Sequence, residues 1–359
     1  MMRILFILFV IAHCPAVFSQ TNVQAELDFQ FYDPNIRLYA IGESHTDDNS
    51  DLHLGILHYL QENTQINVVI LELSEEMVKI INAYVRDGNM KPQMEELLAL
   101  LGNTSEENKI ALINDLRKYN LSVSDDRKIS VIGIDFYSSN IFHSQMKALQ
   151  IIFPELKNVN RPLVQGYIVK GRKKHSSSKK GKAIVSLLIE DATENKKQYE
   201  SQLGIRTTEY MRQLELIQLN YIKNWRRSDS VRESILSHNL NTIIDSNKVS
   251  VLICGAMHSL NKEHDSWFHG YPFTSMLATA KSRYPGQTFS IVTQYYDKKL
   301  FRFFGEFNLL SNPNALYFED RTKRYEVLTK EELKQHPKAD ARCDMVIVQN
   351  TRWKKRKNR

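Results

Sequence analysis

Residues 67–88 read NVVILELSEEMVKIINAYVRDG. The first five form a continuous apolar, β-branched run, the habit of a strand buried on both faces of a parallel sheet; a half-exposed strand would alternate. Glu72 ends the run. From 75 to 87 the period changes: Met77, Ile80, Ile81, Tyr84 and Val85 fall at i, i+3, i+4, i+7 and i+8, the spacing of one helix face. Ser74 stands where an N-cap belongs and Gly88 where a C′ glycine belongs. A buried strand followed at once by an amphipathic helix is the unit from which parallel α/β sheets are built.

The unit recurs along the 359 residues, with strands expected at 37–41 (RLYAI), 129–134 (ISVIGI), 249–254 (VSVLIC), 289–295 (FSIVTQY) and 345–349 (MVIVQ). Thr104 with Glu107 reads as a capping box for the helix after Gly88. Between 153 and about 181 the rhythm breaks, as in an insertion or long loop, and two long amphipathic segments follow at 183–225 and 228–245. The fold class expected is therefore α/β: a mostly parallel central sheet flanked by helices, with a helical subdomain over the carboxyl edge of the strands. Residues 20–350 form one domain in this reading, 153–246 its insertion and helical subdomain, and 351–359 a basic tail.

The first nineteen residues stand outside that domain. One early arginine, an apolar run from Ile4 to Ala12 and a small-residue exit at 17–19 make a secretory signal peptide, with cleavage expected after Ser19. His13 before Cys14 fits a lipidation box poorly. The expectation is an exported protein, periplasmic or extracellular, with no membrane span after cleavage, since no other apolar stretch nears about twenty residues. Of the cysteines beyond the signal, Cys254 and Cys343 lie beside apolar runs and read as buried thiols rather than a disulfide framework. The net charge of +7 comes from two tracts, 170–182 and 354–359, which hold seven and five basic residues and no acids. Setting those aside leaves 36 basic residues against 41 acids, a body charge of about −5. Without aromatic interleaving or a nucleic-acid motif, the tracts read as a solvated loop and tail, and the partner expected is a small-molecule substrate rather than a nucleic acid.

Chemistry gathers at the strand ends. The first run leads into Gly42-Glu43-Ser44-His45, the second into Glu72, the third into Asp135 and the fourth into Gly255-Ala256-Met257-His258. Alone, any of these is a turn with a solvated acid or a satisfied histidine. In a parallel sheet, however, all carboxyl ends share one edge, so residues far apart in sequence can converge there. A histidine beside a carboxylate is held in one tautomer and becomes a better base. His45 can then take a proton from water, with Glu43 or Glu72 as its carboxylate, while His258 protonates a leaving group or stabilises an oxyanion. No Gly-x-Ser-x-Gly elbow supports a serine nucleophile. The same donors, His45, Glu72 and His258, also suit a divalent metal. His53 and His58 are expected on the helix after the first motif, at solvated positions. Arg232 reads either as a clamp for a substrate carboxylate or phosphate or as a helix salt bridge.

These blocks resemble the erythromycin esterase family, part of a wider superfamily with the ChaN-type haem-binding lipoproteins and the TIKI and TraB proteins. The likeness rests on Gly42-Glu43-x-His45, Glu72, Gly133-Ile134-Asp135 and the late Gly-x-x-His at 255–258. Residues 231–245 (VRESILSHNLNTIID) resemble the family's arginine- and asparagine-bearing helix, with Arg232 and Asn239 as the matches, and RCDMVIVQ resembles its last strand. Two departures stand out: Gly255 replaces a histidine usual three residues before the one matching His258, and His53 is the nearest polar residue to a missing arginine. The resemblance implies an esterase-like hydrolase with His45, Glu43, Glu72 and His258 catalytic and Asp135 and Arg232 contacting substrate. No cofactor is required in that reading. The TIKI and TraB branch implies metal dependence, and the ChaN branch implies haem or iron capture without catalysis.

Overall fold

The computed structural model describes residues 31–43, 49–100, 105–135, 142–171, 178–219, 221, 225–244, 248–261, 264–266, 271–295, 325–335 and 343–349. The signal peptide, His45, Thr104 of the capping box, residues 172–177 of the 170–182 tract and the basic tail lie outside them. In chain order the strands are β1 (Leu38–Glu43), β2 (Ile66–Ser74), β3 (Ser130–Asp135), β4 (Val249–Gly255), β5 (His264–Ser266), β6 (Tyr271–Phe273), β7 (Thr288–Tyr295), β8 (Tyr325–Thr329) and β9 (Met345–Gln349). The principal helices are α1 (Ser50–Asn63), α2 (Glu75–Asp87), α3 (Lys91–Ala99), α4 (Ser105–Ser122), α5 (Phe142–Ile152), α6 (Ser178–Glu194), α7 (Lys196–Leu203), α8 (Arg206–Leu219), α9 (Trp225–Ile243), α10 (Met276–Arg283) and α11 (Lys330–Gln335).

The central sheet has seven strands in the order β3-β2-β4-β1-β7-β9-β8. Every neighbouring pair is parallel except β8 with β9. All six strands expected from the sequence are present, with ends within three residues of those expected. Their apolar runs are continuous because both faces are covered. Along β1, Tyr39 and Ile41 face a core shared with α1, α2, α4 and α5, whereas Leu38 and Ala40 face Leu236 and Leu240 of α9 and Met276, Leu277 and Ala280 of α10. The same alternation runs through β2, where Val69 and Leu71 oppose Val68 and Ile70. A third cluster, Val292, Val346 and Val348 against Leu333, covers the β7–β9 side with α11. Cys254 and Cys343 are buried free thiols. The antiparallel edge strand β8 and the short β5–β6 hairpin were not expected.

Helix α2 begins and ends where the sequence places it: Ser74 Oγ accepts the Met77 amide at 3.3 Å, and Gly88 closes the helix at φ 80°. The segment after 153 is not one long loop. Its described part holds a 3-10 turn at Pro154–Asn158 and a π-helical turn at Val164–Val169. The amphipathic segment expected at 183–225 is divided, in its described part, among α6, α7 and α8, with breaks at Asn195 and at Gly204 with φ 57°. The 228–245 segment becomes α9, which lies against β3 and α10 and belongs to a helical layer of the sheet. Helix α8 is the element fastened near the carboxyl edge. Its Glu209, Arg212 and Gln213 pair with Lys79, Glu75 and Glu76 on α2, directly after β2. Among the described residues no helix is long and apolar enough to cross a membrane.

Candidate active site

Strand β2 delivers Glu72 through an irregularity. Its pairing with β3 advances from Leu71↔Gly133 to Ser74↔Asp135, three residues against two, so the extra residue forms a bulge. A Cβ at Gly133 would lie 2.6 Å from the Leu73 carbonyl oxygen and 2.7 Å from that of Ser74, so only glycine admits this backbone. The bulge turns Glu72 toward β4, where its Oε2 accepts the Gly255 N–H at 2.7 Å. Its Oε1 meets Arg232 Nη2 at 2.5 Å, and the same nitrogen reaches Asp135 Oδ2 at 2.5 Å. Arg232 Nε adds a 3.3 Å bond to Asp135 Oδ1. Asp135 ends β3, and Asn239, two turns along α9 from Arg232, ties the helix to the Ile134 carbonyl at 2.8 Å. Burial alone would lower the Arg232 pKa, but Asp135 and Glu72 outweigh it and raise it, so the guanidinium stays charged.

His258 sits in the turn Ala256–Ser259 that follows β4. Gly42 makes room for it: a Cβ there would stand 2.0 Å from Ser259 Oγ and 2.8 Å from the Ala256 Cα. The glycine of Gly-Glu-x-His thus serves the close approach of β1 to the turn bearing the second histidine. His258 Nδ1 pairs with Glu233 Oε2 at 2.7 Å, and its Nε2 faces Glu72 Oε1 at 3.7 Å. Burial works against the charged ring, yet Glu233 and then Glu72 push its pKa up to about 9. At neutral pH His258 is an imidazolium, a proton donor rather than a base. Cys254 is inert here, since burial, followed by the nearby charges of Glu72, Glu233 and Glu43, drives its thiol pKa well above the ordinary value.

Glu43 ends β1, in register with Gly255. Its Oε2 accepts Asn49 Nδ2 at 3.3 Å and lies 3.4 Å from His53 Nε2, and Lys109 Nζ is 4.0 Å from Oε1. His53 is therefore not solvated, as the sequence suggested, but 3 % exposed. It falls with Ile56, Leu57 and Leu60 on the buried face of α1. His58 is partly exposed and pairs with Asp115 at 2.8 Å. The structure thus brings Glu72, Asp135, Arg232 and His258 into one contact network, with Glu43 at the end of the neighbouring strand. His45 lies outside the described residues. Glu233 was missed by the sequence reading. Its signal is an acid three residues before Leu236, in line with the buried stripe Leu236, Leu240, Ile244.

Of the donors that suit a divalent metal in the sequence, Glu72 and His258 are described here and His45 is not. Among the described residues no group of three or more His, Cys, Asp or Glu side chains is placed to hold one. The Arg232 guanidinium offsets part of the charge of Glu72 and Asp135, and a second cation beside it would be repelled.

No protein-family model matches the chain, and no curated protein does. Solved structures show a shared fold. A Bacillus cereus protein superposes with a TM-score of 0.51 at 13 % identity, covering 88 % of each chain. A mutant of the erythromycin esterase EreC in its open conformation gives 0.51 at 11 % identity, covering 88 % of this chain and 90 % of that one. A succinoglycan biosynthesis protein gives 0.51 at 12 % identity over 92 % and 97 % of the two chains. At these identities the likeness is one of architecture: the protein shares the α/β fold of these three structures.

Proposed function

We propose that the protein is an exported hydrolase that cleaves an ester or related bond with a water activated by histidine and glutamate. The observation that carries this reading is the geometry of His258, paired at Nδ1 with Glu233 and facing Glu72 through Nε2 at the edge where parallel strands end, the usual place for chemistry on such sheets. His45 takes the proton from water as the oxygen attacks the carbonyl carbon, and Glu43 and Glu72 supply the negative charge that keeps it basic. The tetrahedral oxyanion forms near His258, which donates its proton to the leaving oxygen as the carbon–oxygen bond breaks. No covalent intermediate is needed. Arg232, with 27 % of its side chain exposed, offers the substrate a charged donor, and Asp135 acts through it. The resemblance of the sequence blocks to erythromycin esterases and the shared fold with one of them support the same class of reaction.

A hydrolase screen of the mature chain, run with and without chelator beside His45→Ala, tests the reading. The expected result is turnover of one ester class, insensitive to chelator and lowered by roughly 10²–10⁴-fold in His45→Ala. Absence of turnover on every ester, or its abolition by chelator, contradicts it. Near-normal turnover in His45→Ala with none in His258→Ala exchanges the two histidines' roles.

A further inference from the structure

Glu233 is a buried acid on a helix that the sheet needs only as cover, and its two oxygens do different work. Oε1 accepts the amide of Met276, the first residue of α10. Ser275, the N-cap of that helix, serves the Ala278 amide at 3.0 Å instead, so the two side chains divide the first turn of donors between them. The carboxylate is thereby fixed from the side of α10. Oε2 is then presented to His258 Nδ1 at 2.7 Å, a short charge-assisted bond. With Nδ1 held there, the ring has one orientation, and Nε2 is aimed at Glu72 Oε1, the oxygen that also binds Arg232. An acid needed only to cap α10 would have no reason to be aligned with an imidazole at the strand edge.

We infer that Glu233 is the positioning residue of His258: through Nδ1 it fixes the ring with Nε2 toward Glu72 and retains the proton that the ring donates. The consequence for turnover rests on the hydrolase reading; the consequence for the ring does not. The raised His258 pKa agrees with this arrangement.

The test is ¹⁵N detection of the His258 ring at pH 7.5 in the wild type, Glu233→Gln and Glu233→Asp, with turnover on any ester hit from the screen. In the wild type both ring nitrogens are expected to carry protons, with a downfield Hδ1. In Glu233→Gln the amide can still accept from Met276 but offers Nδ1 a donor, so the ring should become neutral and protonated at Nε2 alone. Then kcat should fall at least about ten-fold, short of the roughly 10²–10⁴-fold worth of a whole general acid, with KM little changed. Glu233→Asp keeps the charge and should recover part of both. A wild-type ring that is neutral at pH 7.5, a Glu233→Gln ring that stays doubly protonated, or a kcat that ignores the loss of the ring proton overturns the inference. Should Glu233→Gln fail to fold, the wild-type ring and Glu233→Asp decide it. If no substrate is found, the hydrolase reading falls, while the ring measurement still decides the role of Glu233.

Discussion

Among the described residues Arg161 and Arg232 are each paired with buried carboxylates, and they do different things. In the helical layer Arg161 grips Asp191 through Nε at 2.9 Å and through Nη2, while Tyr199 donates to the other oxygen at 2.7 Å and Asn195 adds a 3.2 Å bond. One positive charge meets one negative, with neutral donors around them. Burial raises the Asp191 pKa, but Arg161 and Tyr199 outweigh it and hold it below the usual carboxylate range. At the strand edge Arg232 serves two carboxylates, Glu72 and Asp135, and Glu233 stands close by as a third. One guanidinium does not balance three acids. Part of the excess negative charge is met by a proton on His258, an exchangeable charge rather than a fixed one. A matched pair fastens helices together, whereas an unmatched cluster keeps a proton at the place where a substrate could use it.

Removing each arginine should separate the two most strongly. Arg232→Met leaves Glu72 and Asp135 side by side without their counter-charge, and should lower stability to denaturant by about 3–5 kcal/mol. Arg161→Met leaves Asp191 its Tyr199 and Asn195 donors, and should cost about 1–3 kcal/mol. Equal losses in the two variants would mean that the edge cluster is as closed as the helical one.

The pH dependence of stability should divide them next, in opposite directions. His258 has a folded pKa near 9, above its ordinary value, so its stabilising charge is fully present below about 6.5 and is lost as pH rises through 9. The alkaline loss should be roughly 3 kcal/mol and absent in His258→Asn. Asp191, with its pKa held low, contributes stability that is present above the ordinary carboxylate range and lost as pH falls through its lowered value. An alkaline limb unchanged in His258→Asn would detach that limb from the edge cluster.

Much of this edge was legible in the sequence, for a physical reason. Strands covered on both faces announce themselves as unbroken apolar runs, and Glu43, Glu72, Asp135 and His258 each follow or close such a run. Parallel pairing then carries them to one side. What stayed hidden depended on helix faces and on long crossings. Glu233 and His53 sit on apolar stripes, where a polar residue looks like an interruption until the partner that buries it is known. The partners, Met276 and His258 for one and Glu43 for the other, come from elements far away in sequence or across a loop. Nor does local pattern give the strand order, since β4 enters the sheet between β2 and β1 more than a hundred residues after β3 ends. The edge strand β8 was missed because YEVLT is short and only partly buried, and its antiparallel pairing is set by β9.

The most direct test applies the same chemical change to both clusters. On an ester hit from the screen, kcat is measured for Glu72→Gln and Asp191→Asn, each replacing an arginine-paired carboxylate with its amide. The edge cluster as an active site predicts that Glu72→Gln loses roughly 10²–10⁴-fold in kcat, whereas Asp191→Asn loses stability but turns over like the wild type wherever it is folded. Wild-type kcat in folded Glu72→Gln would contradict the assignment of chemistry to this edge.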